Sequence, residues 1–417
     1  MVKTNTCFLK IQYDILVESL KETKMNIISG FLIFLAAVMA VSCGDAAKDS
    51  LAFGNYSPTI DAGHGHIAVI DINGQVHTKG RNDSGQLGSG KSDIVISVQK
   101  VDKDLVGVVV DLGRKHSICL SQDGTVWAWG DNFYGQLGTG TNVNNTKPIE
   151  VEKLNDIRHV SAGGDSSYAV DLDGNVWAWG DNYFGQLGDG TYNNSNVPKK
   201  ISGLSKISTI SAGGSYCVAV DEDNNLWVWG NNNYGQLGIG SQISSTVPVK
   251  IESIKNVRQI SAGTSHCIAV KDDGSVYVWG NNISGNLGVK DSEGNIDATS
   301  CILTPSNVAE LKNIVGVSAG GSEKEVFSVA LTEKGQVYTW GGNFSGQLGD
   351  GTSESKYEPV LLKDIKDVLE VAAGPDFFIA LNKDYKIFGC GKNSDGQINS
   401  IIDTQYEPEE IMQLDMF

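Results

Sequence analysis

The sequence predicts an all-β fold, a seven-bladed β-propeller of four-stranded antiparallel blades. Three observations carry that expectation: a glycine-rich phrase recurs at a fixed interval, a hairpin signal recurs in phase with it, and the array has no helix-period segment. The phrase WGDNFYGQLG at 129–138 returns as WGDNYFGQLG at 179–188 and as WGNNNYGQLG at 229–238. Its second position falls at Gly80, Gly130, Gly180, Gly230, Gly280, Gly341 and Gly391, seven copies spaced by 50 except for one step of 61. Self-similarity at a period of roughly 20–50 residues marks solenoids, propellers and arrays.

Each period supplies four short strands, A to D. In the third copy, strand A ends in Ser-Ala-Gly, B runs across Tyr-Ala-Val and C across Val-Trp-Ala-Trp, with β-branched and aromatic residues alternating on either side of Asp173-Gly174. An Asp-Gly or Asn-Gly pair between alternating runs predicts a hairpin closed by a primed turn, which needs positive φ. The same place holds Asn73-Gly74, Asp123-Gly124, Asp273-Gly274 and Lys334-Gly335, while Asp223-Asn224 and Asp384-Tyr385 keep the signal in weaker form. Pro148, Pro198, Pro248, Pro305, Pro359 and Pro408 are expected to open strand D, since proline belongs at a strand start or edge. Seven such meanders protect their edges best by radial repetition about an axis. In that arrangement the tryptophans ending strand C, Trp129 and its equivalents Trp179, Trp229, Trp279 and Trp340, are buried. Leu137, Leu187 and Leu237 plug between blades.

The combination SAGxxHxxAV, then DGxVxxWG, then NNxxGQLG, resembles the regulator of chromosome condensation repeat over about residues 60–414. The resemblance implies a seven-bladed propeller used as an interaction platform. Members of that family include a nuclear exchange factor for a small GTPase, a plant ultraviolet-B receptor and a bacterial secreted inhibitor of β-lactamases. One fold hosts many functions, so the resemblance leaves activity open.

The N-terminus narrows the choice. Ile27 to Val41 are mostly apolar, follow Lys21 and Lys24, and are too few to span a bilayer as an ordinary helix but suit a signal peptide. They lead into Ala40-Val41-Ser42-Cys43, which looks like a bacterial lipobox with alanine where leucine is usual at position 40. Residues 1–42 therefore read as a signal peptide, 43–59 as lipid attachment at Cys43 and a tether, and 60–417 as the propeller. The expected location is the cell envelope, lipid-anchored and facing the periplasm or exterior. Without the leader the chain keeps 28 basic against 46 acidic side chains, a balance that repels phosphate backbones and argues against nucleic acid as a partner.

Chemistry-bearing residues are sparse. Cys119 and Cys390 read as core fillers; Cys217 and Cys267 occupy equivalent positions in adjacent copies, where a disulfide is conceivable. His66, His116 and His266 share one repeat position, expected at the mouth of the central channel, but other copies place Ser166, Tyr216, Phe327 and Phe377 there. That mixture argues for packing rather than a metal. Asp171-x-Asp173-Gly174 lacks the continuation of a calcium loop, and no nucleophile stands at a readable spacing from a base. The reading is thus a monomeric, non-catalytic platform that uses no cofactor and no metal.

Topology locates the partner's side. In a meander the A–B and C–D turns share one face, so the variable residues of the motif lie in front and the Asp-Gly turns behind. Phe133, Tyr134, Tyr183, Phe184, Tyr234 and Phe344 fall there, backed by Asp131, Asp165 and Asp181, and clustered aromatics on rigid loops suit interface hot spots. The extra eleven residues before the sixth motif fall in two front loops. They predict a raised rim, 289–304 with 321–326, that contributes Asp291, Glu293 and Glu323. Inhibition of an extracytoplasmic enzyme is a narrower form of this reading. An exchange-factor role is the alternative if the leader is not a signal peptide.

Overall fold

The computed structural model describes residues 58–93, 95–282, 285–290, 293–295, 301–322, 325–399 and 403–414. Cys43, the leader and nearly all of the tether lie outside these residues, as do Asp291 and Glu323. Seven four-stranded sheets are present, each a meander in chain order, and together they form the seven blades of a β-propeller. The described residues contain strands and turns and no helix. In blade three, A is Ile157–Ala162, B is Ser166–Asp171, C is Val176–Gly180 and D is Ser195–Lys200. Strands B and C sit between two neighbouring blades. They are buried almost throughout, which is why they carry Val, Ala, Trp and Tyr on both faces.

Two local expectations need correction. The B–C hairpin does not close on a primed turn: Gly174 N donates to Asp171 O (2.9 Å) and Asp171 N to Asn175 O (3.0 Å), and within the loop Gly174 alone has positive φ, 76°. A primed type I turn needs two such residues, whereas this three-residue loop closes on a single left-handed position. Asn224 (60°) and Tyr385 (59°) take that position in the copies without glycine. The prolines, for their part, do not open strand D. Pro148 lies inside Asn145–Glu150, and the register jumps from Ala128↔Ile149 to Gly130↔Asn145. Three residues therefore bulge opposite Trp129, on the outermost strand, where no ladder N–H is required of the proline.

The repeated phrase is the cement between blades. Trp179 is fully buried, and its Nε1–H donates to the Gln136 carbonyl of the preceding blade (2.9 Å). Its ring lies on Gly138, where a Cβ would come within 2.8 Å of Nε1. Trp129, Trp229 and Trp279 donate likewise to the Gln86, Gln186 and Gln236 carbonyls at 2.8–2.9 Å, and Trp340 donates to Leu287 O (3.1 Å). The first glycine of GQLG also meets the next blade: a Cβ on Gly135 would stand 2.5 Å from Asn196 Cα. Leu137, Leu187 and Leu237 are buried in apolar clusters that each span two blades, as expected. Cys119, Cys217, Cys267 and Cys390 are buried free thiols, so no disulfide joins Cys217 to Cys267; Cys267 Sγ instead lies 3.1 Å from the Tyr216 hydroxyl.

Two circular sets of hydrogen bonds surround the axis. Near the front, backbone N–H groups of one A–B loop donate to carbonyls of the next, as in Arg114 N to Gly164 O (2.9 Å) and Gly164 N to Gly213 O (3.1 Å). Below them, strand A side chains accept from the next strand A. Ser161, Ser211, Ser261 and Ser318 take the N–H of Ala212, Ala262, Ala319 and Ala373 at 2.9–3.1 Å.

Trp179→Ala should cost about 3–5 kcal/mol through lost burial and a cavity. Gly138→Ala should destabilise by about 1–3 kcal/mol, because the methyl meets an indole that cannot retreat and φ there is +69°. Denaturant melts check both, and native melting of either variant would show that the indole–glycine contact does not hold the blades.

Candidate protein-binding face

The C–D loop is built around one buried asparagine. Asn132 Oδ1 accepts from Leu137 N (2.9 Å), while its Nδ2 donates to Thr141 O and Val143 O (both 3.0 Å). Asn182, Asn232 and Asn343 repeat the arrangement. Gln136 completes the loop: its Oε1 accepts from Tyr134 N (2.9 Å) and its Nε2 donates to Asp131 Oδ2 (2.7 Å). Every turn of this loop is fastened by side chains, so residues at its tips are held out rather than left loose.

Phe133 (70% exposed), Tyr183 (73%) and Phe344 (83%) occupy those tips. Tyr134 and Phe184 are half-buried beneath them, edge to face at 4.9 and 5.0 Å between ring centres, and Tyr234 is half-buried in blade four. Of the aromatic positions expected to meet a partner, the structure therefore presents three and uses three as support. Val143 (72%), Tyr192 (63%) and Ile243 (75%) stand exposed on the far limb of the same loops in blades two to four. The sequence signal for them is an apolar residue inside an otherwise polar stretch.

The acidic residues expected to back the aromatics have internal partners. Asp131 and Asp181 receive Gln136 and Gln186 (2.7 Å each). Asp165 is buried and pairs with Arg114 of the neighbouring A–B loop. Short polar side chains beside glycine-rich turns satisfy local donors first, and these carboxylates do that here. Glu293 is exposed.

The insertion in blade six also differs from a raised loop. Strand A runs Ile314–Gly321 and strand B Val326–Thr332, paired as far as Gly321↔Val326, so the added residues lengthen the hairpin. Glu325 then reaches the C–D loop, accepting Phe344 N (3.0 Å) on Oε1 and Gln347 Nε2 (3.3 Å) on Oε2. Blade six has Gly342 where blades two and three have Asp131 and Asp181, and a Cβ there would lie 2.2 Å from Glu325 Cγ. Glu325 replaces the missing aspartate.

The histidines do not line the channel mouth. His66, His116 and His266 are fully buried between blades, their Nε2 atoms 3.2, 2.9 and 3.2 Å from the hydroxyls of Ser117, Ser167 and Ser328 in the next blade. Burial pushes them down to about 3, 3 and 4, so they sit neutral in the wall as packing and hydrogen-bonding groups. At the front mouth, a cavity of about 80 Å³ is lined by His64, Arg114, Gly164, Gly214, Thr264 and Pro375 among others. That is room for a few waters.

Comparison with known proteins fits this geometry. The model of the RCC1-like domain matches residues 47–379. The chain belongs to that family. The match stops within strand B of blade seven, which the structure carries on to Gln413. Yeast RCC1 (Prp20), solved with Kap60, superposes with a TM-score of 0.71 at 20% identity, covering 88% of this chain and 86% of that one. Human WBSCR16 gives 0.68 at 26% identity, covering 79% and 88%. The E3 ubiquitin-protein ligase HERC2 of Homo sapiens is 36% identical over 117 residues, 27% of this chain and 2% of that protein. RUG3 of Arabidopsis thaliana, a mitochondrial RCC1 domain-containing protein, is 32% identical over 114 residues, 26% of this chain and 25% of that protein. The matched stretches thus span a quarter or less of these curated relatives' length.

This RCC1-like propeller also carries carboxylates on its axis. Asp61 and Asp111 stand where other blades have serine, and Asp61 Oδ2 accepts Leu112 N (2.7 Å). Burial in the narrow channel pushes Asp111 up to about 7 and Glu370 to about 8, and raises Asp61 well above the carboxylate range, with Asp111 beside it adding to the effect.

The folded protein thus holds protons that the unfolded chain has released between about pH 4 and pH 7–8. The contribution of these groups to stability is therefore present below that window and lost as pH rises through it. Asp111→Asn should match wild type at pH 4 and melt higher at pH 8.5; equal melting at both would remove the carboxylate from this role. Glu325→Ala should cost about 1–2 kcal/mol by orphaning two donors and speed hydrogen exchange at Phe344, with Gly342→Asp restoring both in that background. Unchanged exchange, or failure of the rescue in a folded protein, would count against the replacement.

Proposed function

We propose that this RCC1-like propeller is a protein-binding platform, tethered by lipid on Cys43 outside the cytoplasm, whose front face at blades two to four and six takes a protein partner. The observation that carries the reading is the set of exposed apolar side chains Phe133, Val143, Tyr183, Tyr192, Ile243 and Phe344 on side-chain-fastened loops. Exposed aromatic and aliphatic side chains on rigid loops suit interface anchors, and side chains already held in place lose little entropy on binding. The family supports a protein partner: Prp20p of Saccharomyces cerevisiae has been characterised for binding to Gsp1p and histones. The acidic chain, with net charge −17, supports a partner other than nucleic acid. The apolar stretch before Cys43 supports export and lipid attachment.

The test is a crosslinking pull-down from native envelopes with full-length protein. Phe133→Ala, Tyr183→Ala and Phe344→Ala should each weaken capture of the natural partner by about tenfold or more, as hot-spot truncations do, without lowering the melting temperature. Leu172→Ser on the back face should leave capture unchanged, and the reverse pattern would overturn the front-face assignment. Cys43→Ser should release the protein from the membrane fraction or leave it as uncleaved precursor; unchanged fractionation and mass would remove the lipid.

A further inference from the structure

Five of the seven junctions between blades carry the indole–glycine contact, a sixth keeps the glycine opposite Cys390, and the seventh has neither half. The chain itself crosses the six, passing from strand D of one blade to strand A of the next. Between blade seven (A Val368–Ala373, B Phe377–Asn382, C Lys386–Lys392, D Thr404–Gln413) and blade one (A Thr59–Ala62, B His66–Ile70, C Val76–Gly80, D Val95–Lys100) no described strand is exchanged.

The side chains change at the same place and at every radius. Near the front, Pro375 stands where Arg114 and Gly164 donate their backbone N–H to the next loop, and proline has no N–H to give. On strand A, Ala372 stands where Ser318 and its equivalents accept the next blade's N–H, and Glu370 Oε2 takes Ile60 N instead (3.1 Å). Between strands C, Lys79 replaces the buried tryptophan. Its amine is buried and donates to Ile398 O (2.6 Å). In blade seven the glycine that would receive an indole is Asn399, whose Nδ2 reaches Glu409 Oε2 (2.5 Å). Loss of the indole on one side and of its glycine on the other are two halves of one change. Blade six to blade seven shows what happens when only one half changes: Cys390 replaces the tryptophan, Gly349 stays, and Sγ lies 2.7 Å from the position of a Gly349 Cβ.

We infer that the junction between blades seven and one is a polar latch, held by Lys79 and Glu370, and that it is the place where the closed ring opens. Ile60, Ile67, Val69, Phe377, Ile379 and Leu381 still pack across it, so the ring is closed at rest. Among the described residues it lacks a peptide crossing, and it lacks the indole that fastens five other junctions. Local opening follows the path with fewest such constraints, and a buried amine or carboxyl that leaves its partner regains hydrogen bonds to water when the blades part, whereas an indole leaving its glycine exposes apolar surface with no such return.

Hydrogen exchange of the full-length protein tests this. Amides of strands A and B in blade one and strands A to C in blade seven should exchange about tenfold or more faster than the same strands of blades three and four, a like-for-like comparison since all A strands line the channel. Equal exchange would overturn the latch. Lys79→Trp together with Asn399→Gly rebuilds the indole–glycine contact and should bring the junction's exchange down to that of blades three and four. Lys79→Trp alone should be worse than wild type, because the Asn399 side chain holds the space. A folded double variant with exchange unchanged would overturn the assignment to Lys79. Should the tryptophan variants fail to fold, Lys79→Met decides: it keeps the stem and removes the amine, and faster exchange confined to the junction supports the latch, while no change opposes it.

Discussion

An indole laid on a neighbour's glycine is the contact on which the rest of this ring depends. Repeats two to six carry both halves, a tryptophan for the blade before and a glycine for the blade after, so none of these blades completes its own core. The indole fills the outer part of the wedge between diverging sheets, and its N–H satisfies a carbonyl that the same wedge would otherwise bury. The recurrence of the tryptophan and glycine together follows from this dependence, and the contact survives the 61-residue step, where Trp340 still lies on Gly288. A copy that drifts in one half leaves a void or a clash in another, and the two places where the pattern changes, Lys79 with Asn399 and Cys390 with Gly349, show each outcome being accommodated.

The same phrase serves the front surface. The asparagine and glutamine of NNxxGQLG fasten the C–D loop from inside, so the first of the two residues between them is held out in solvent on a fixed backbone while the second lies half-buried beneath it. That is why Phe133, Asn233 and Phe344 occupy one position without disturbing the blade beneath. Surface loops on a rigid frame are where recognition is varied. Blade six shows the limit of that freedom: once Gly342 removes the loop's own carboxylate, the neighbouring hairpin is longer and brings Glu325 to the same donors.

Charge follows the same division between frame and surface. Serines link inner strands where a hydroxyl is cheap to bury, while Asp61, Asp111 and Glu370 on three successive blades link them with groups that burial keeps protonated far above their ordinary range. The histidines between blades are neutral for the same reason. Front carboxylates such as Asp83 are held charged instead: burial works against them, but hydrogen bonds from Arg81, Gln86 and Lys115 outweigh it.

Architecture was legible in the sequence because it is written in periods. Seven glycine phrases, hairpin pairs in phase and alternating strands name the blade, its strand order and the burial of Trp129 and Leu137, since these depend on spacing along the chain. The front placement of Phe133 and Tyr183 followed from strand order alone. What sequence could not supply was the identity of each group's partner across space. Whether Asp131 faces a visitor or Gln136 and whether Glu325 belongs to its own hairpin or to Phe344 are settled only when the loops of one blade close on each other, and whether His66 sees the channel or Ser117 only when two blades are pressed together. Satisfying a buried donor outranks solvent exposure in that contest, and the separation along the chain ranges from 5 residues for Asp131 and Gln136 to 51 for His66 and Ser117. Lys79 is the clearest case: its place before Gly80 aligns it with the tryptophan or cysteine of six other copies, but only the closed ring shows its amine buried against the Ile398 carbonyl of blade seven.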